Sequence, residues 1–316
     1  MFNKITLPDG SVEYRAEGLG EYSLKDTLEC GQCFRYERIE AGRRFADEYL
    51  FTYGRTVIRV GQDKPGELTV RLVGEELSIE ELDSLFMLGS SLAEIRDDIL
   101  SRTDSEWLRA AAGMAGGIAI LKQDPWETLI SFIISQNNNI PRIRKIIKQI
   151  AIEYGVNISL LGQGERLCPL DPANGTPCEE ICKRCGVCYS FPSSADILAR
   201  PEGLLPSRPG FRYGYILDAA QRVYSGEVDL DAISEAASYE RTLEALKVIK
   251  GVGDKVASCV ALFGFANLEA FPIDVWMKRA IDEYFGGSLD PTTLGKYAGV
   301  AQQYIFHYVR SLSEAK

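Results

Sequence analysis

Two apolar helical stripes, ending in Leu246 and Ile249 on one side and resuming at Ala257 and Val260 on the other, are separated by only Gly251-Val252-Gly253. A chain that reverses within three residues between two helices must form a tight αα turn, and the two glycines permit positive φ and close approach of another backbone. The second helix starts at the turn, so its first N–H groups point outward and can receive a phosphate. Lys255 follows directly. Asp274 lies 19 residues further on in Phe271-Pro272-Ile273-Asp274-Val275-Trp276, after a proline and before the helical segment VWMKRAIDEYF. In the plainest reading the turn is an ordinary αα corner, Asp274 a helix N-cap and Lys255 a solvated surface lysine. In the chemical reading, a lysine desolvated at a helix start beside a carboxylate has an exposed lone pair and is an amine nucleophile.

Charge bears on the partner. The 316 residues carry 35 Lys and Arg against 45 Asp and Glu, a net charge of −10, so the whole-chain basic footprint expected of a nucleic-acid binder is absent. Locally the balance differs. The stretch 137–150 holds Arg142, Arg144, Lys145 and Lys148 with no acid, whereas Glu75, Glu76, Glu80, Glu81 and Asp83 crowd what reads as a solvated helix face. Long-range steering is therefore expected to be weak, with affinity resting on inserted side chains and backbone amides. The start has no apolar signal region and no run of about 18 apolar residues occurs, which predicts a cytoplasmic protein that does not span a membrane.

The first hundred residues alternate β-branched and aromatic residues between Gly, Pro and Asp breakers, as in EYLFTYGRTVIRVGQ and GELTVRLVG. Helical patterns begin near 105. Asp124-Pro125-Trp126-Glu127 reads as a helix start with N-cap Asp, Pro at N1 and Glu at N3, as in a capping box. A second helix covers about 141–154 and stops at Gly155. The division expected is an α+β domain over 1–115 and an all-α domain over 116–316, with a Cys-rich insertion at about 160–190. Five of the eight cysteines fall between Cys168 and Cys188. Cys182-Lys183-Arg184-Cys185-Gly186 resembles a zinc knuckle, and Cys178, Cys182, Cys185 and Cys188 could hold Zn²⁺ or an Fe–S cluster; the alternative is a loop of reduced cysteines. Cys30 and Cys33 read as small pocket-lining residues, with half a metal site as the other option.

Taken together, GVGxK and PxD resemble the helix-hairpin-helix/Gly-Pro-Asp superfamily of DNA base-excision glycosylases, whose lysine-bearing members also cleave the strand. Three further segments resemble the 8-oxoguanine DNA glycosylase/AP lyase branch: Gly31-Gln32-Cys33-Phe34-Arg35-Tyr36, then Gln123-Asp-Pro-Trp-Glu127 with Ser131 to Ile143 (SFIISQNNNIPRI), and Tyr297-Ala-Gly-Val-Ala-Gln302 through Phe306. These matches run in family order from residue 31 to 306. The resemblance implies a TBP-like N-terminal antiparallel sheet with helices, and a helical catalytic domain. It implies that Lys255 attacks the sugar C1′ and forms a Schiff base from which β-elimination follows. Asp274 would stabilise the oxocarbenium-like charge and orient the lysine. Asn137, Arg142 and Arg212 would hold the opened site and its cytosine, with Phe211 as wedge and Gly251 and Gly253 in the phosphate-gripping hairpin. Phe306 and Cys259 would sandwich the flipped purine, Gln302 would read its Watson–Crick edge, and the Gly31 carbonyl would accept from N7–H, which only the oxidised base carries.

The implied partner is double-stranded DNA with an oxidised purine, bound by a monomer in base-excision repair, with no cofactor required for the chemistry. Two departures stand out: Trp276 occupies a place where relatives often carry a histidine, and Phe211 one where a tyrosine is frequent. His307, the single histidine, reads as structural. The competing readings are a glycosylase for another damaged purine, such as an alkylated one, and a non-catalytic hairpin DNA-binding or redox-sensing protein; Lys255 and Asp274 together speak against the last.

Overall fold

The structure, a computed structural model, describes residues 1–40, 43–158, 186–236 and 238–314. Six strands, β1 (Asn3–Thr6), β2 (Val12–Ala16), β3 (Tyr36–Arg38), β4 (Asp47–Tyr53), β5 (Thr56–Gln62) and β6 (Leu68–Gly74), form one antiparallel sheet in the order β1-β2-β6-β5-β4-β3. This is the α+β arrangement expected. The helices are α1 (Leu24–Glu29), α2 (Ile79–Leu85), α3 (Leu92–Ser101), α4 (Glu106–Ala115), α5 (Pro125–Ser135), α6 (Ile140–Tyr154), α7 (Ser194–Ala199), α8 (Arg212–Tyr224), α9 (Leu230–Ala236), α10 (Tyr239–Lys247), α11 (Asp254–Phe265), α12 (Val275–Tyr284) and α13 (Ala298–Glu314).

Burial in the central strands is nearly continuous rather than alternating, because both faces of the sheet are covered. Tyr49, Phe51, Ile58, Val60 and Val70 face a core that runs on without a break to Val300 and Tyr304 of α13. Leu50 and Val57 point the other way and meet Ala151 of α6 with Ile158, Val187, Cys188 and Tyr189. α5 is buried nearly all round, consistent with its apolar run, and packs along α11. That contact sets the Lys255-bearing helix against the end of α5.

Several local expectations change. Glu127 does not complete a capping box: Asp124 accepts from the Glu127 N–H at 2.7 Å, but the Glu127 carboxylate turns to Arg35 instead. Pairing a buried guanidinium outweighs a hydrogen bond to one helix-end N–H. Gly155 ends α6 in an extended conformation, not a left-handed cap; a Cβ there would sit 2.0 Å from the Ser190 carbonyl oxygen, so the glycine serves close approach. The four bases of α6 differ in exposure. Arg144 donates to the Tyr36 carbonyl and stacks 4.1 Å from its ring, and Lys148 is half-buried, which leaves Arg142 and Lys145 exposed one turn apart. Cys30 and Cys33 are core residues whose thiols burial pushes up to about 12 and about 11; neither lines the large cavity described below. His307 lies 4.0 Å from Asp26. Cys168, Cys178, Cys182 and Cys185 lie outside the described residues, Cys188 packs in the second core, and no group of three candidate metal ligands occurs among the described residues. No described helix is long and apolar enough to cross a membrane.

Candidate active site

A cavity of about 770 Å³ opens where α5, α11, α12 and α13 converge on the Gly31 turn, and Gly31, Asn137, Gly253, Lys255, Cys259, Asp274, Gln302 and Phe306 all line it. Helical spacing explains part of the convergence. Lys255 and Cys259 are four apart on α11, and Gln302, Phe306 and Arg310 four apart on α13, so each set presents one face. Bringing the faces together is the work of the core beneath.

Lys255 is half-buried rather than sealed, as a fully desolvated lysine would be. Its Nζ donates to Ser135 Oγ at 3.1 Å and stands 5.2 Å over the Phe132 ring. It makes no ion pair with Asp274, although both face the cavity. Asp274 is the N-cap of α12, its Oδ1 accepting from the Met277 N–H at 2.9 Å. The cap reading is therefore correct, and it leaves the second carboxylate oxygen for other work. Cys259 is 4% exposed and burial pushes its thiol up to about 11 against the pull of Lys255, so it is a neutral, polarisable wall.

Gly31 has φ +96°, and a Cβ on it would stand 3.3 Å from Phe306 Cε1 and 3.5 Å from Arg310 Nη1. Gln32 fixes this turn from behind. Its side-chain amide donates to the Thr27 and Ala119 carbonyls, each at 2.8 Å, and accepts from the Leu121 N–H at 2.9 Å. Gln302 is buried, its Oε1 accepting from Gln303 Nε2 at 2.8 Å. Phe306 is half-buried, packed against the core and lining the cavity, with the Arg310 guanidinium 5.7 Å over its ring centre.

The three asparagines separate by role. Asn138 donates to the Ile134 carbonyl at 3.0 Å and closes α5, and Asn139 accepts from the Arg142 N–H at 3.0 Å and opens α6. Asn137 precedes them at φ +46°, and all three line the cavity. Arg212 is 3% exposed and donates to the Gln136 and Asn137 carbonyls, so here it props this turn from beneath. Arg142 and Phe211 are exposed outside the cavity, Phe211 edge-on to Tyr215 at 5.9 Å. In the hairpin only Gly251 has positive φ, +84°, with the Tyr215 ring where a Cβ would go; Gly253 is extended at −100° and open to solvent, leaving the first N–H groups of α11 unobstructed. Trp276 lines the cavity with the Arg279 guanidinium 5.5 Å over its ring.

Sequence reasoning missed Ser135, Phe132, Gln32 and Arg310. The i, i+4, i+8 spacing of Gln302, Phe306 and Arg310 was a signal for the arginine, whereas a serine at the end of an apolar helix carries none and only its contacts reveal it.

Residues 17–129 match the family model of the 8-oxoguanine DNA glycosylase N-terminal domain. The N-glycosylase/DNA lyase of Saccharomyces cerevisiae is 29% identical over 82% of this chain and 67% of that protein. Among solved structures, MBOgg1 in complex with a low-affinity DNA ligand is 31% identical, with a TM-score of 0.79 over 99% of each chain. The Clostridium acetobutylicum 8-oxoguanine glycosylase/lyase, in complex with double-stranded DNA containing cytosine opposite 8-oxoguanine, is 29% identical with a TM-score of 0.77, covering 99% of this chain and 98% of that one.

Proposed function

Because this chain belongs to the 8-oxoguanine DNA glycosylase/lyase family, we propose that it excises 8-oxoguanine from duplex DNA and then cleaves the strand at the resulting site. The observation that carries the reading is the convergence of Lys255, Asp274, Cys259, Gln302, Phe306 and Gly31 on one cavity large enough for a flipped base. The five side chains come from three helices, and the Gly31 backbone joins them from more than 200 residues earlier in the sequence, which an ordinary αα corner would not assemble.

The chemistry follows from the groups. The lesion base enters between the Phe306 face and the Cys259 thiol, and its N7–H donates to the Gly31 carbonyl. Guanine presents an N7 lone pair there instead, so it meets repulsion. The neutral Lys255 amine gives its electron pair to C1′. The C1′–N9 pair leaves with the base, which takes up a proton, and the Asp274 carboxylate offsets the positive charge that develops on the sugar. Ring opening gives an imine between Nζ and C1′. Loss of a C2′ proton then expels the 3′ phosphate by breaking C3′–O. None of these steps calls for a metal or cofactor; elemental analysis of the purified chain tests whether Cys178, Cys182, Cys185 and Cys188 hold zinc or iron.

On the DNA side, Asn137 and Arg142 would occupy the opened site, Phe211 would wedge the step, and the N–H groups after Gly253 would receive a backbone phosphate. Arg212 would reach the orphaned cytosine only by giving up its carbonyl partners. We also take the protein to act as a cytoplasmic monomer, which sedimentation and fractionation would check.

Borohydride trapping on duplexes with 8-oxoguanine opposite each base tests the function. A covalent adduct that disappears in Lys255→Gln supports it. No adduct with 8-oxoguanine, or one that persists in Lys255→Gln, overturns it.

A further inference from the structure

We infer that Ser135 is a positioning residue that aims the lone pair of Lys255, an inference that rests on the glycosylase/lyase reading above. The Ser135 hydroxyl has a single proton, and it goes to the Phe132 carbonyl at 2.8 Å. Toward Lys255 the same oxygen is therefore an acceptor only. At 3.1 Å it requires an N–H of Lys255 to point at it in the ammonium and in the free amine alike. The Phe132 ring, 5.2 Å from Nζ, draws a second N–H onto its face. Two of the three substituent directions on Nζ are thus committed to α5. The third is left for the cavity lined by Asp274 and by Cys259, whose thiol also hydrogen-bonds with Lys255; a thiol is a far weaker partner than the serine oxygen, so the proton lost from Nζ is the cavity-facing one and the lone pair appears where C1′ would arrive.

The platform is rigid for a visible reason. Phe132 is stacked on Phe263 at 5.5 Å and edge-on to Phe34 at 5.4 Å, and α5 packs along α11 over its length. The serine is the last residue of α5, where its hydroxyl also satisfies a carbonyl of the final turn. Removing the hydroxyl takes one donor from the Phe132 carbonyl, while the lysine loses the acceptor that fixes its rotation.

The test compares Ser135→Ala and Ser135→Thr with the wild type in single-turnover excision of 8-oxoguanine, imine trapping on a preformed abasic duplex, equilibrium binding to the abasic duplex, and thermal unfolding. Aiming predicts that Ser135→Ala lowers both covalent rates about tenfold, with the dissociation constant and unfolding midpoint unchanged, and that Ser135→Thr recovers most of the loss. The abasic arm matters because no base remains to be recognised there. If excision falls but abasic trapping does not, Ser135 serves base recognition and the inference is wrong. It is also wrong if both rates stay at the wild-type level, or if they fall only in step with binding or stability. A wild type that traps neither duplex would overturn the function itself, a separate outcome.

Discussion

Arg35 and Glu127 meet through two parallel hydrogen bonds, Nε to Oε1 at 2.6 Å and Nη2 to Oε2 at 2.7 Å, and so tie the segment before β3 to the first turn of α5. A third guanidinium donor goes to the Tyr189 carbonyl, which brings in the chain that covers the back of the sheet. The pair stands behind the platform that carries Ser135, so its integrity bears on the site without touching it.

Breaking this pair leaves a buried charge alone. Glu127→Gln is expected to destabilise the protein by about 3 kcal/mol. Replacing Arg35 and Glu127 together with apolar residues of similar volume should cost markedly less than the sum of the two single changes. Denaturant unfolding of the four proteins in a double-mutant cycle measures the difference.

Asp274 has two functions that one substitution can separate. Asparagine caps a helix as well as aspartate does but carries no charge. Asp274→Asn should therefore keep the unfolding midpoint while excision falls by about 10²-fold, the scale of losing one preorganised electrostatic partner. Asp274→Ala should lose activity and in addition about 1 kcal/mol of stability. Single-turnover rates set beside thermal unfolding distinguish the two.

Gly31→Ala would place a methyl against Phe306 and Arg310 on a backbone already at φ +96°, so the ring or the turn must shift. Excision of 8-oxoguanine should fall at least about tenfold. Strand cleavage at a preformed abasic site, which needs no base pocket, should be retained. Loss of both activities would show that the substitution damages more than base recognition.

Acid stability has an identifiable contributor. Glu13 on β2 is buried, and burial alone would raise its pKa, but Arg15, Arg44 and Arg71 all donate to it and hold it at about 2, below the ordinary 4.5. A carboxylate with a depressed folded-state pKa stabilises the protein above its unfolded pKa. That contribution is lost as pH falls from about 4.5 toward about 2. Glu13→Gln should lose on the order of 2 kcal/mol at neutral pH. The gap to the wild type should close across that same acid window, as followed by urea unfolding at a series of pH values.

Much of this protein could be read from the chain alone. The strands, the Asp124 cap and the Asp274 cap depend on interactions within a few residues and appear as expected, whereas the helix before the hairpin ends at Lys247, so the turn before Asp254 takes six residues rather than three. What each polar side chain does with its hydrogen bonds was not legible, since that depends on which distant atoms the fold brings near. Four bases stood together in the stretch 137–150, yet packing gives Arg144 to Tyr36 and leaves Arg142 and Lys145 exposed. Glu127 looked like half of a capping box and is the partner of Arg35; three consecutive asparagines all line the cavity, and two of them also bond to helix-end backbone groups. The sequence by itself determined which elements form and which groups could do the chemistry, because propensity and periodicity act locally. Only the tertiary structure decided where the lone pair of Lys255 points, because Ser135 lies 120 residues away and meets it solely through the packing of α5 on α11.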